Sequence, residues 1–117
     1  MMTQVLFTQE QIQERVRSLA IQISFQNNPE NHSRVMIGVL NGAFMFFADL
    51  VRNMEVDCEI DFIQAKSYLG QTQDEIKLLK DISNSITGKD VYIVDDIFDS
   101  GNTMRYLLAH LQAKGPR

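Results

Sequence analysis

The sequence is poor in the features that mark several large classes of protein. Cys58 is its only cysteine, so no disulfide can form within the chain, and this fits a reducing compartment. Its net charge of -4 argues against broad binding to nucleic acid or to an anionic membrane, since both need a basic surface. No apolar stretch approaches the length of a membrane span, and residues 1–4 lack the basic start of a signal peptide. We therefore expect a cytoplasmic protein.

The chain does contain alternating helical and strand patterns over 117 residues, enough for one domain with one core. Residues 34–40 and 91–94 are almost continuously apolar, which is typical of strands covered on both faces. Asn41 and Gly42 suit a hairpin turn, but the helical pattern that follows favours a strand, a tight turn and a helix. Helical spacing of apolar residues predicts three helices, over residues 9–26, 43–52 and 102–113.

The middle of the chain has a different pattern. Residues 56–63 alternate between apolar and polar, which predicts a strand with Asp57, Glu59 and Asp61 on a solvated face. Residues 67–74 are polar and are predicted to form a mobile loop, and residues 75–82 are a further candidate strand. Together the patterns predict an α/β fold in which helices flank a mainly parallel sheet.

Two predicted strands end in unusual turns, at residues 40–43 and 95–103. In open α/β sheets, ligands bind beyond the carboxyl ends of the strands. These two turns are therefore the first candidates for a functional site.

Residues 95–103 combine acidic side chains with the start of a helix. Backbone N–H groups and the helix dipole make a helix start suitable for phosphate, while Gly101 permits close approach of a ligand. Ser100 and Thr103 add hydroxyl donors. The carboxylates of Asp95, Asp96 and Asp99 instead suit sugar hydroxyls or a divalent metal. A ligand with both a sugar and a phosphate satisfies the whole segment, whereas simple helix capping explains only one residue of it.

Residues 91–103, Val-Tyr-Ile-Val-Asp-Asp-Ile-Phe-Asp-Ser-Gly-Asn-Thr, resemble the phosphoribosyl-pyrophosphate (PRPP) motif of the type I phosphoribosyltransferases, most closely the hypoxanthine/guanine branch. Residues 39–52 resemble the family's pyrophosphate loop and the helix after it. Residues 56–68 resemble the strand that leads into its flexible catalytic loop, and residues 76–90 resemble the following hairpin and turn. The resemblance extends in order over nearly the whole chain.

The resemblance implies a role for each matching residue. The PRPP-binding residues would be Asp95, Asp96, Asp99, Ser100, Gly101, Asn102 and Thr103. Asp95 and Asp96 would hold the ribose hydroxyls beside Mg²⁺, and Asp99 would be the catalytic base near the purine. The pyrophosphate loop would be Leu40, Asn41, Gly42 and Ala43, with a peptide after Leu40 that is often cis in the family. Ser67 and Tyr68 would belong to the loop that closes over the site.

The resemblance also implies a fold and a reaction. The fold would be type I phosphoribosyltransferase-like, a single incomplete domain over residues 1–117 without the family's C-terminal strands and most of its base-recognition residues. The reaction would transfer 5-phosphoribosyl from PRPP to hypoxanthine or guanine in purine salvage, releasing pyrophosphate. We expect a homo-oligomer, a dimer or tetramer, that binds neither nucleic acid nor membrane, and little transferase activity from these residues alone. The alternative is a regulatory protein on the same fold, binding PRPP without catalysis or binding RNA.

Overall fold

The computed structural model describes residues 9–26, 28, 32–68, 75–95 and 102–117. Three helices and four strands occur in these ranges. In chain order they are α1 (Gln9–Ser24), β1 (Arg34–Val39), α2 (Phe44–Arg52), β2 (Glu59–Tyr68), β3 (Glu75–Lys80), β4 (Asp90–Val94) and α3 (Asn102–Gln112). No helix in these ranges is both long enough and apolar enough to cross a membrane.

The four strands form one sheet in the order β3-β2-β1-β4. β1 pairs in parallel with both β2 and β4, and β3 pairs antiparallel with β2. The predicted α/β fold with a mainly parallel sheet is therefore confirmed. The turn at Asn41 and Gly42 leads into α2, so the predicted strand, turn and helix is also confirmed.

Helices cover both faces of β1. Val35, Ile37 and Val39 pack with Leu107 and Leu111 of α3 on one face of the sheet. The other face forms a second cluster, in which β1 and the end of β4 pack against α1 and α2 through Val16, Ala20, Met36, Phe47, Leu50 and Val94. This double burial explains why the sequence of β1 is almost continuously apolar.

The prediction for residues 56–63 was right that Asp57 and Glu59 are exposed but wrong for Asp61 and Ile60. Asp61 is 5% exposed, whereas Ile60 is 46% exposed. β2 is covered on both faces near its middle, because Ile63 packs toward α3 and Phe62 packs toward α2. The Asp61 carboxylate is buried because it accepts hydrogen bonds from the backbone N–H groups of Ser83 at 2.8 Å and Asn84 at 3.1 Å.

The predicted burial of residues 91–94 was also only partly right. Val94 is buried, but Val91, Tyr92 and Ile93 are half-buried. The reason is that β4 is an edge strand of the described sheet. An apolar groove of about 780 Å³ runs beside it between α1 and α3, with Asp95 and Arg117 among its lining residues.

Candidate functional site

The carboxyl ends of β1 and β4 lie side by side, since Gly38 pairs with Val94 in the sheet. The chain leaves these strands toward opposite faces. β1 leads to α2, which packs on one face, and β4 leads to α3, which packs on the other. In an open α/β sheet such a point leaves a crevice where ligands bind. The turn at residues 40–43 and Asp95 flank this crevice.

The turn after β1 is held to the sheet through Leu40, and its next three backbone N–H groups have no acceptor among the described residues. The Leu40 N–H donates to the Ile63 carbonyl of β2 at 2.9 Å, and the Leu40–Asn41 peptide bond is cis. Ala43 is buried and caps α2 without a side-chain hydrogen bond. Within the described residues, the N–H groups of Asn41, Gly42 and Ala43 donate no hydrogen bond. They are therefore available to an anionic ligand at the start of α2.

The segment after β4 is described at its two ends. Asp95 is half-buried and directly follows β4, and Asn102 and Thr103 form the first turn of α3. The other predicted PRPP-binding residues lie outside the described residues: Asp96, Asp99, Ser100 and Gly101. The structure thus places Asp95 at the crevice and starts a helix immediately after this segment, as the sequence predicted.

Ser67 and Tyr68 were predicted to begin a loop, but the structure places both in a strand, while their role in closing over the site stays a prediction. They are the last two residues of β2, where Ser67 pairs with Ile76 and Tyr68 pairs with Glu75 of β3. The polar sequence of this stretch is explained by its position, because the hairpin extends beyond the end of β1 and is exposed there.

Two lysines of this hairpin were not identified from the sequence. The Nζ atoms of Lys66 and Lys77 each lie 5.3 Å from the centre of the Tyr68 ring. The signal that could have found them is the pairing of the hairpin, which puts Lys66 directly opposite Lys77. A loop over residues 67–74 would not create this pairing, since it depends on β2 continuing to Tyr68.

Cys58 has no features of a nucleophile. Burial, together with the nearby negative charge of Asp57, raises the pKa of its thiol above the ordinary value. A thiol with a raised pKa is protonated at neutral pH and is a weak nucleophile. The side chain instead packs as a small apolar group against the cluster beneath α1 and α2.

A polar cluster joins the end of β3 to α3, away from the crevice. His110 Nε2 lies 2.9 Å from Asp81 Oδ1, and Lys114 Nζ lies 3.2 Å from Asp81 Oδ2. Asp81 and His110 are 29 residues apart in the sequence, so only the fold brings them together.

Oxygen ligands for Mg²⁺ at the crevice would come from Asp95 and Asp96. The described residues contain no group of three or more His, Cys, Asp or Glu side chains that could hold a metal by themselves. Mg²⁺ is usually held by one or two carboxylates together with substrate phosphates. A half-buried carboxylate at the end of β4 fits that kind of site.

A family model described as the phosphoribosyl transferase domain matches residues 4–117 of this chain, and the chain belongs to that family. Its relatives within the family act on purines according to their names. The hypoxanthine phosphoribosyltransferase of Escherichia coli strain K12 is 39% identical over 97% of this chain and 65% of its own length. The chain thus spans slightly less than two thirds of that relative.

Solved structures of the same group share the fold. A hypoxanthine-guanine phosphoribosyltransferase of Bacillus anthracis is 45% identical with a TM-score of 0.85, covering 99% of this chain and 69% of that one. A hypoxanthine phosphoribosyltransferase of Trypanosoma cruzi, in complex with the product IMP, is 34% identical with a TM-score of 0.79. It covers 96% of this chain and 64% of that one. The type I phosphoribosyltransferase fold predicted from the sequence is confirmed.

Proposed function

We propose that this chain carries the donor half of a purine-salvage phosphoribosyltransferase. It binds PRPP at the crevice between β1 and β4, for transfer of 5-phosphoribosyl to hypoxanthine or guanine with release of pyrophosphate. The observation that carries the proposal is the geometry of the crevice. A turn whose three backbone N–H groups donate to no described residue lies beside a carboxylate that immediately follows β4. The names of the relatives, and the IMP bound to one of them, support a purine acceptor.

Each side of the crevice has its own role in this proposal. The N–H groups of the turn at residues 40–43 hold the departing pyrophosphate, because a helix start with free donors favours an anion. Asp95 and Asp96 accept hydrogen bonds from the ribose hydroxyls. Asn102 and Thr103 in the first turn of α3, together with Ser100 and Gly101, which precede it in the sequence, hold the 5′-phosphate. Asp99 takes the proton of the purine as the ring nitrogen attacks C1′ of the ribose.

Asp95 and Asp96 also hold Mg²⁺ in this proposal. When bound, the metal supplies positive charge that offsets the negative charge developing on the pyrophosphate leaving group.

The alternative functions are less well supported. The net charge of -4 disfavours an RNA-binding regulator, because RNA affinity depends on neutralising phosphates. A non-catalytic PRPP-binding protein would share the same crevice but would not need Asp99. We further infer that the protein acts in the cytoplasm as a homo-oligomer, a dimer or tetramer, without a nucleic-acid or membrane partner.

Donor binding can be tested by measuring the unfolding of the chain by circular dichroism, with and without PRPP and Mg²⁺. At a PRPP concentration about 100 times its Kd, we expect stabilisation of about 2.7 kcal/mol. Asp95→Asn should weaken PRPP binding by about tenfold, a loss of about 1.4 kcal/mol of binding free energy. Asp57→Asn is the matched control, since Asp57 is an exposed acid next to the opposite end of β2.

Three outcomes would count against parts of the proposal. If PRPP did not stabilise the unaltered chain, the proposed donor site would be wrong. If Asp95→Asn and Asp57→Asn had equal effects on PRPP binding, Asp95 would not belong to the site. The Asp99→Asn substitution should be made in this chain extended to the length of its relatives, provided that the extended protein forms IMP from hypoxanthine. Unchanged turnover of that variant would show that Asp99 is not the catalytic base and would favour the non-catalytic alternative.

A further inference from the structure

The β2–β3 hairpin extends well beyond the crevice end of the sheet. The last β2 residue that pairs with β1 is Ile63, but β2 continues to Tyr68. At about 3.4 Å per residue, the hairpin projects roughly 17 Å past the end of β1. We call this projecting part, residues 64–68 and 75–80, the arm. It rises from the same end of the sheet as the turn at residues 40–43.

The arm carries a like-charge pair. Lys66 and Lys77 are directly opposite each other in the antiparallel register. Like charges at directly opposed positions destabilise a hairpin. The Tyr68 ring contacts both ammonium groups, which lie at most roughly 11 Å apart because each is 5.3 Å from the same ring centre. The ring therefore holds two cations together at a cost to the hairpin.

Neither lysine of this pair has a carboxylate within ion-pair distance in the described part of the chain. The ion pairs among those residues involve other cations, and neither Lys66 nor Lys77 takes part in one. The basic residues that do have a carboxylate partner there are Arg17, Arg52, Lys89, His110, Lys114 and Arg117. Both arm lysines are exposed, so an anionic ligand could reach them. In a chain with a net charge of -4, the pair is a local positive site.

The lysine pair lies on the same face of the sheet as α2. Ala65 and Leu78 pair with each other and pack toward α3. Because side chains alternate along a strand, Lys66 and Lys77 lie on the opposite face. That is the face of the sheet covered by α2, the helix into which the turn at residues 40–43 leads.

We propose that Lys66 and Lys77 form a second contact for the pyrophosphate group of the donor, with Tyr68 holding the two ammonium groups together. The pair lies on the face of the sheet that α2 covers, and the turn at residues 40–43 leads into that helix. Binding of a polyanion offsets the repulsion between the two lysines. Relief of this repulsion therefore contributes to the binding free energy of the ligand. This inference rests on the proposed donor site and assigns two further residues to it.

The test is isothermal titration of the chain and the double variant Lys66→Met/Lys77→Met with three ligands. The ligands are PRPP with Mg²⁺, pyrophosphate with Mg²⁺, and ribose 5-phosphate, which lacks the pyrophosphate group. We expect the double variant to bind PRPP and pyrophosphate at least about tenfold more weakly, with unchanged binding of ribose 5-phosphate. Lys66→Arg/Lys77→Arg should restore most of the affinity, because the charge is kept. The single variants should unfold at the same or a higher temperature, because each removes a repulsion.

Arg17→Met is the control for the loss of a positive charge, since Arg17 is an exposed residue of α1 whose side chain is 61% accessible. Unchanged pyrophosphate affinity in the double variant would overturn this inference while leaving the donor site intact. Equal weakening for all three ligands would also overturn it, because it would indicate a general effect on the fold. Absence of PRPP binding to the unaltered chain would instead contradict the proposed function. Tight binding of a single-stranded RNA that depends on the two lysines would overturn the assignment to pyrophosphate.

Discussion

At the scale of single residues, Asp81 shows how one carboxylate can connect two elements. It follows β3 directly, and its Oδ1 accepts a hydrogen bond from the Ile82 N–H at 2.8 Å. The same carboxylate contacts His110 at 2.9 Å and Lys114 at 3.2 Å near the end of α3. Burial alone would raise the pKa of this carboxyl, but hydrogen bonds from His110, the Ile82 amide and Lys114 bring it below its ordinary value.

This lowered pKa predicts the direction of a pH effect on stability. A carboxyl whose pKa is lower in the folded chain stabilises the fold fully above its ordinary pKa, and the stabilisation disappears as the pH falls through the folded value. Asp81→Asn should lower the free energy of unfolding by about 1 kcal/mol at pH 7, because solvent screens a partly exposed group. Below about pH 4 the difference from the unaltered chain should shrink. Urea unfolding at both pH values measures this, and a difference that grows in acid would contradict it.

At the scale of elements, the sequence predicted which segments are helices and strands better than it predicted their surroundings. The continuous apolar pattern of residues 34–40 predicted β1 correctly, because a strand covered on both faces needs apolar residues at every position. The alternation over residues 56–63 misled, since the burial of Asp61 depends on the Ser83 and Asn84 amides, which are distant in the sequence. The arm was predicted only in part: residues 75–82 were a candidate strand and β3 occupies Glu75–Lys80, but the extension of β2 to Tyr68 was not predicted, because its pairing exists only once β3 is in place.

The packing of α2 on β1 depends on one residue without a side chain. A Cβ atom added to Gly38 would lie 3.0 Å from atoms of the Phe47 ring, and Phe47 is 2% exposed. The ring also packs edge-on against Phe62, with 5.3 Å between ring centres. Because the ring has buried neighbours on several sides, it has little room to move away.

Gly38→Ala should therefore lower the free energy of unfolding by about 1–3 kcal/mol through overpacking. Phe47→Leu in the same chain should recover part of that loss, since the smaller side chain gives the new methyl group space. Urea unfolding of the two single variants and the double variant measures the coupling. If the two effects simply added, the contact between position 38 and the ring would not be the cause.

At the scale of the whole molecule, the site is built from strand ends that lie far apart in the sequence. The sequence identified residues 40–43 and 95–103 separately, and the general rule for α/β sheets predicted that they meet. Their adjacency requires the parallel pairing of β1 with β4, which no local pattern specifies. The residues were therefore enough to propose a chemistry for the site, while the position of β4 at an edge and the groove beside it required the fold.

The groove beside β4 is the feature of the whole molecule with the clearest consequence in solution. Its lining is mostly apolar and includes Phe46 and Leu108, which are 38% and 41% exposed. Contiguous apolar surface of this kind favours association, so we expect the sedimentation coefficient of the chain to rise with concentration. Leu108→Lys should shift the population toward monomer, because it places a charge in the groove. Leu79→Lys is the matched control, since Leu79 is 50% exposed on β3 at the opposite edge of the sheet and the change in charge is the same. A chain that stays monomeric at all concentrations, or equal effects of the two substitutions, would show that the groove does not drive association.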